Sequence, residues 1–146
     1  MADNLNEQLA ALNRLYKEQD DVYRGVAQRA GLSETAFILL YFLCEADSSI
    51  SQHELCELCF YPKQTVNSSI AKLVKDGLVH LRPLAGYRNR KAVELTADGR
   101  DFCQQYVFPM LAAEQHAFAR FTPEERVVYL KLFRQYIDSL REEIEI

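Results

Sequence analysis

The thirty residues from Pro62 to Lys91 hold Lys63, Lys72, Lys75, Arg82, Arg88, Arg90 and Lys91 against one acid, Asp76. Cations at that density suit one task, holding a polyanion. The whole chain carries a net charge of −4, so the rest of it is acidic and the positive field is local. Where a polyanion docks follows the local field, not the total. The polar residues among these cations sharpen the reading. Gln64 and Asn67 have amides that can form two hydrogen bonds with adenine in the major groove. Lys63 can reach guanine or phosphate, and Thr65 and Ser68 suit phosphates or base edges. An ordinary solvated helix face also carries lysines and amides, but few such faces are so poor in acids.

A second constellation, His53-x-x-Cys56-x-x-Cys59, has the residue types of a metal site but not its geometry. Over six helical residues His53 and Cys59 diverge by about 120°, and no neighbour offers a fourth ligand. No metal is therefore expected. The four cysteines (Cys44, Cys56, Cys59, Cys103) all lie in apolar helical patterns. A disulfide framework is not expected in a reducing compartment, and thiol redox sensing stands as an alternative role. Nothing points to catalysis: there is no glycine-rich phosphate loop, nucleophile elbow or HExxH, and His53, His80 and His116 lie on separate elements. No catalytic residue and no cofactor are expected.

The elements that must position the basic segment can be read from periodicity. Leu5, Leu9, Leu12, Tyr16, Gln19, Tyr23, Val26 and Ala30 step by fours and threes, the seam of a long amphipathic helix that Gly31 ends. Ser33 caps a second helix, Glu34 to about Ala46, which is apolar nearly all round from Phe37 to Cys44 and so belongs to the core. Asp47-Ser48-Ser49 breaks it. Ser51 and Glu54 predict a capping box, with Ile50 and Leu55 as a hydrophobic staple. The short helix they start is closed by Phe60-Tyr61-Pro62. The next helix begins near Pro62 and carries Val66, Ile70 and Leu73 inward to a stop at Gly77, completing a helix-turn-helix. The period then becomes strand-like. Leu78–Arg82 and Lys91–Leu95 predict a hairpin with a basic tip, Gly86-Tyr87-Arg88-Asn89-Arg90. Thr96 caps a further helix that passes Pro109 with an expected kink. Thr122-Pro123-Glu124-Glu125 predicts another capping box, opening a last amphipathic helix with Val127, Leu130, Phe133, Ile137, Leu140 and Ile144 on one face.

Three pieces in order carry a family resemblance: Ser51-Gln52-His53-Glu54-Leu55, Lys63-Gln64-Thr65-Val66 and Leu95-Thr96-Ala97-Asp98-Gly99. They resemble the helix-turn-helix, recognition helix and wing-to-helix junction of the MarR family, and with the flanking helices the likeness covers nearly the whole chain. One feature departs from the pattern. Many members carry D-x-R in the wing, the acid orienting the base, whereas this wing has no acid between Arg82 and Lys91. Either Arg88 or Arg90 can be the residue that enters the minor groove, with Arg82 and Lys91 on flanking phosphates. The resemblance implies a response to small, often aromatic ligands, or to oxidants or metals, and Tyr16, Tyr23, Phe37, Tyr41 and Tyr106 are candidate lining residues for such a ligand. Such aromatics are more often core.

The expected fold is mainly α with a small β-hairpin wing: a winged helix-turn-helix at 33–96, flanked by dimerisation helices at 1–32 and 97–146. Two apolar seams without local partners predict a two-fold homodimer. The expected partner is double-stranded DNA, read as a pseudo-palindromic operator by a transcriptional regulator of repressor type. Other readings are a thiol- or metal-responsive regulator of the same fold and a winged-helix protein-interaction module. The polar, acidic start Met1-Ala2-Asp3 is unlike a secretory leader, and the apolar run Ala36–Cys44 is too short to cross a bilayer, so a cytoplasmic protein without membrane contact is expected.

Overall fold

A computed structural model describes residues 4–47 and 49–146. The start Met1-Ala2-Asp3 and Ser48, in the predicted break, lie outside the described residues. Helix α1 (Leu5–Arg29) opens where the Asn4 side chain accepts the Glu7 N–H, and it ends in a paired turn. Gly31 N–H donates to Gln28 and Leu32 N–H to Ala27, a Schellman closure that needs the positive φ of Gly31 (+72°). Helix α2 (Glu34–Glu45) is capped by Ser33, whose Oγ accepts the Ala36 N–H at 3.2 Å. It buries Ala36, Phe37, Leu39, Leu40 and Leu43, the centre of the core. Helices α1, α3 (Gln52–Cys59) and α4 (Lys63–Lys75) all pack on it. Helix α4 closes as α1 does, with Gly77 at φ +75° and Leu78 N–H returning to Leu73.

Three short strands, β1 (Ser49–Ser51), β2 (Val79–Pro83) and β3 (Lys91–Leu95), form an antiparallel sheet in the order β1-β3-β2. Val93, in the middle, faces Ile50 on one side and Leu81 on the other. Strand β1 has no alternating signature, since three residues are too few to show one.

Helix α5 (Ala97–Phe102) starts at the Leu95–Gly99 segment, and its chemistry is visible in the contacts. Thr96 Oγ1 accepts the Gly99 N–H at 2.9 Å and donates to the Gly77 carbonyl at 2.6 Å, while Thr96 N–H bonds Leu78. A Cβ on Gly99 would run into the Leu78 carbonyl, so only glycine lets α5 lie this close to the base of the wing.

At Pro109 the expected kink takes another form. A π-helical stretch (Cys103–Val107), with Phe108 N–H bonded to the Cys103 carbonyl, precedes the proline, and α6 (Phe108–Phe118) follows directly. The widened turn contains Gln105, the i−4 residue whose carbonyl a proline ring would otherwise meet.

The chain forms two compact units, the first ending at Met110 and the second running from Leu111 to Ile146. In the second, α7 (Pro123–Ile144) has the full capping box: Thr122 Oγ1 accepts the Glu125 N–H and Glu125 Oε2 accepts the Thr122 N–H. Rings of Phe118, Phe121, Tyr129 and Phe133 meet there. No residue of α6 or α7 is buried.

Candidate nucleic-acid interface

Helices α3 and α4 are set by local signals. Ser51 Oγ accepts the Glu54 N–H at 3.1 Å, starting α3. Among the described residues the reciprocal bond from the Glu54 carboxylate is not formed, so the predicted box is half made, unlike that of Thr122. Helix α3 ends at Phe60 in the left-handed conformation (φ +53°, ψ +24°), and Pro62 stands at the N-cap of α4. Val66, Ile70 and Leu73 point into the core. This leaves Lys63, Gln64, Asn67, Ser68 and Lys72 exposed, with Thr65 half-buried.

Several of these side chains have internal partners. The Gln52 amide donates to the Asn67 carbonyl oxygen, joining the start of α3 to α4. Asn67 keeps its NH₂ for another partner. Ser68 Oγ donates to the Gln64 carbonyl at 2.9 Å, and Lys72 Nζ lies 3.2 Å from Asp76.

The wing turns through Leu84–Tyr87. Tyr87 N–H donates to the Leu84 carbonyl, with Gly86 at φ +82° in the third position, where a type II turn calls for glycine. Leu84 N–H to the Arg90 carbonyl closes the loop. The Arg90 guanidinium lies over the Tyr87 ring, 4.6 Å from its centre.

At the base of the wing Glu94 joins all three strands. Its carboxylate takes Arg82 Nε at 2.7 Å, His80 Nε2 at 3.0 Å and Ser49 Oγ at 3.3 Å. The Arg82 hydrogen bond, with help from Ser49 and His80, holds the Glu94 carboxyl below its ordinary range. Arg82 is therefore a sheet cation matched by an acid just beyond the basic segment.

A groove of about 710 Å³ lies between α3, α4 and the wing. It brings together four of the residues read from sequence, Lys63, Asn67, Arg90 and Lys91. Gln64, Thr65, Ser68, Lys72, Arg82 and Arg88 are not among its lining. It adds Gln52, His53 and Asn89, which sequence reasoning passed over as site residues. Gln52 and His53 sit inside the Ser51–Leu55 motif, which the sequence marks as a helix start and as part of the helix-turn-helix resemblance, with His53 weighed only as a metal ligand. His53 Nε2 lies 3.2 Å from Glu57.

The aromatic candidates separate. Phe37 is 2% exposed and belongs to the core, which removes it from any ligand-facing set. Tyr16, Tyr23, Tyr41 and Tyr106 are half-buried. Among the described residues, no group of three His, Cys, Asp or Glu side chains is arranged to hold a metal. Burial, and then the nearby Cys56, push the Cys59 thiol up to about 11.

This is a winged helix-turn-helix protein. Residues 30–86 match the profile of the MarR family. The transcriptional repressor YetL of Bacillus subtilis is 24% identical over 135 residues, 92% of this chain and 81% of that one. Among solved structures, the MarR family regulator NMB1585 of Neisseria meningitidis superposes with a TM-score of 0.78 at 20% identity, covering 94% of this chain and 96% of that one. BpsR of Bordetella bronchiseptica, whose DNA binding is regulated by 6-hydroxynicotinic acid, gives 0.68 at 22% identity over 88% and 91%. Residues 30–86 are therefore MarR-like, and the fold over nearly the whole chain is that of solved MarR family regulators.

Proposed function

We propose that the chain binds operator DNA as a homodimer and represses transcription, with α4 in the major groove and the wing against the adjacent minor groove. The observation that carries this is the groove where Lys63, Asn67, Arg90 and Lys91 converge. Lys63, Arg88, Arg90 and Lys91 have no acidic partner among the described residues. In this reading Gln64 and Thr65 meet base edges, Asn67 reads through its free NH₂, and Ser68 and Lys72 lie along the backbone.

A single α4 reads too few bases for useful specificity, and α7 argues for a second copy. Val127, Val128, Leu130, Leu132, Leu140 and Ile144 are all exposed on it, an apolar load that monomers seldom present to water. Two-fold pairing would set the recognition helices about 34 Å apart, one turn of DNA. The functional division then follows: 33–96 for DNA, with 1–32 and 97–146 for pairing. A cytoplasmic setting accompanies this role; no helix among the described residues is long and apolar enough to cross a membrane. A small aromatic acid, by analogy with BpsR, would sit among Tyr16, Tyr23, Tyr41 and Tyr106 and alter the spacing of the two lobes.

The test is a gel-shift titration of the Arg88→Ala/Arg90→Ala double variant. Affinity is expected to fall by orders of magnitude, and unchanged affinity removes the wing from the interface.

A further inference from the structure

The first residue of α3 and the second turn of α4 meet in the groove beside the wing, where Gln52 and Asn67 share its lining. Gln52 is held in place by its neighbour. Ser51 caps α3 by accepting the Glu54 N–H, and as the end of β1 it also pairs with Ala92 of β3. Gln52 is half-buried, and its amide NH₂ donates to Oδ1 of Asn67. Asn67 is exposed, but its direction is set by Val66 and Ile70, which turn the opposite side of α4 into the core.

A free asparagine amide offers one acceptor and one donor group. That is the complement of adenine, whose N6 amino donates beside an accepting N7. With Oδ1 taken by Gln52, Asn67 has only its NH₂ to give. Lys63, one turn earlier on the same face of α4, is also a donor without an acceptor, and it lines the same groove. Guanine is the base whose major-groove edge sets two acceptors, O6 and N7, side by side.

We propose that Gln52 is a specificity-determining residue: by holding the Asn67 carbonyl it makes Asn67 a donor, and Asn67 then selects guanine over adenine. The inference rests on the reading of this groove as a DNA interface, and adds the base that is read there.

The alternatives are poorer matches. Turning Asn67 toward adenine would strand the Gln52 amide in a groove from which the duplex has displaced water. A polar group left unpaired in such a place costs more than an ordinary hydrogen bond returns. Without that turn, the adenine N6 amino would face the Asn67 NH₂, donor against donor. Thymine offers one acceptor, O4, and the cytosine edge presents a donor. Guanine alone answers a donor with acceptors at both positions.

The test is selection of bound duplexes from a random library by the full chain and three variants, read as base frequencies at each position. Asn67→Ala identifies the position that Asn67 reads, as the one that loses its preference while the others keep theirs. The parent should favour guanine there by about five- to tenfold over the next base. Gln52→Leu frees both groups of the Asn67 amide and should carry that position to adenine. Gln52→Glu places a carboxylate that accepts from the Asn67 NH₂ and turns Oδ1 outward. The position should then leave guanine for a base with a donating amino group, adenine or cytosine, whatever the added charge does to total affinity. Should Gln52→Leu fail to fold, Gln52→Glu decides. A bracing role for Gln52 would weaken all duplexes alike and leave the preference unmoved. That result, no position relaxed by Asn67→Ala, or any base but guanine preferred by the parent would overturn the proposal and leave DNA binding standing. Recovery of no duplex by the parent would overturn the DNA reading, and this inference with it.

Discussion

The guanidinium of Arg90 is held against the face of Tyr87, two elements of one wing turn locked together. An aromatic face orients a cation without cancelling its charge, whereas a carboxylate does both. This wing lacks the acid of the D-x-R pattern, and Tyr87 does the orienting. In the proposed complex Arg90 therefore keeps its full charge for a phosphate.

Removing the ring should loosen Arg90. Tyr87→Ala is expected to weaken duplex binding about two- to fivefold, the equivalent of about 0.5–1 kcal/mol for an exposed cation–π contact. Tyr87→Phe should bind as the parent does. Fluorescence anisotropy on both variants checks this, and equal losses for the two would assign the effect to the hydroxyl.

Phe60 is 84% exposed and sits in the left-handed region, an unfavourable place for a bulky side chain. The left-handed conformation costs roughly 1–2 kcal/mol for most residues and less for asparagine. Phe60→Asn should therefore raise stability by about 1 kcal/mol, or about 2–4 °C in Tm for a chain of this size. Phe60→Ala keeps the backbone penalty and should gain nothing. Thermal unfolding of the two variants side by side settles the point.

Gly99 allows the backbone of α5 to approach Leu78. Gly99→Ala forces a shift at the base of the wing and is expected to cost about 1–3 kcal/mol, as overpacking does. Denaturant unfolding measures it. An unchanged midpoint would mean that the junction gives way freely.

The Glu94 network predicts an acid-labile sheet. The folded carboxyl lies below its ordinary value chiefly through Arg82, with Ser49 and His80 also facing it. The folded state therefore binds fewer protons at Glu94 than the unfolded chain does. Its contribution is fully present above about pH 4.3, the unfolded value, and is lost as pH falls through the depressed folded one. Glu94→Gln should lower Tm at neutral pH and flatten its decline on the acid side. Parallel Tm–pH curves for parent and variant would exclude the linkage.

Much of this was legible in the residues themselves. Val66, Ile70 and Leu73 fixed which side of α4 faces out, because a helical period leaves little choice once its core face is apolar. Gly31 and Gly77 marked helix ends that only a positive φ can close. What was hidden depended on residues distant in sequence. Arg82 reads as a free cation until Glu94 comes alongside across the strand pair. The three residues of β1 are recognisable only by pairing with β3. The π-helical stretch before Pro109 was missed for a related reason: a proline announces a disturbance without saying which turn absorbs it.

The most direct measurement is the salt dependence of binding to a palindromic duplex selected from bound genomic fragments. Lys63, Lys72, Arg88, Arg90 and Lys91 on each of two chains offer about ten phosphate contacts, so log K against log salt should fall with a slope near −9. The stoichiometry should be two chains per duplex. A slope near zero, or no duplex binding at low salt, would contradict the assignment of this basic helix-and-wing face to DNA.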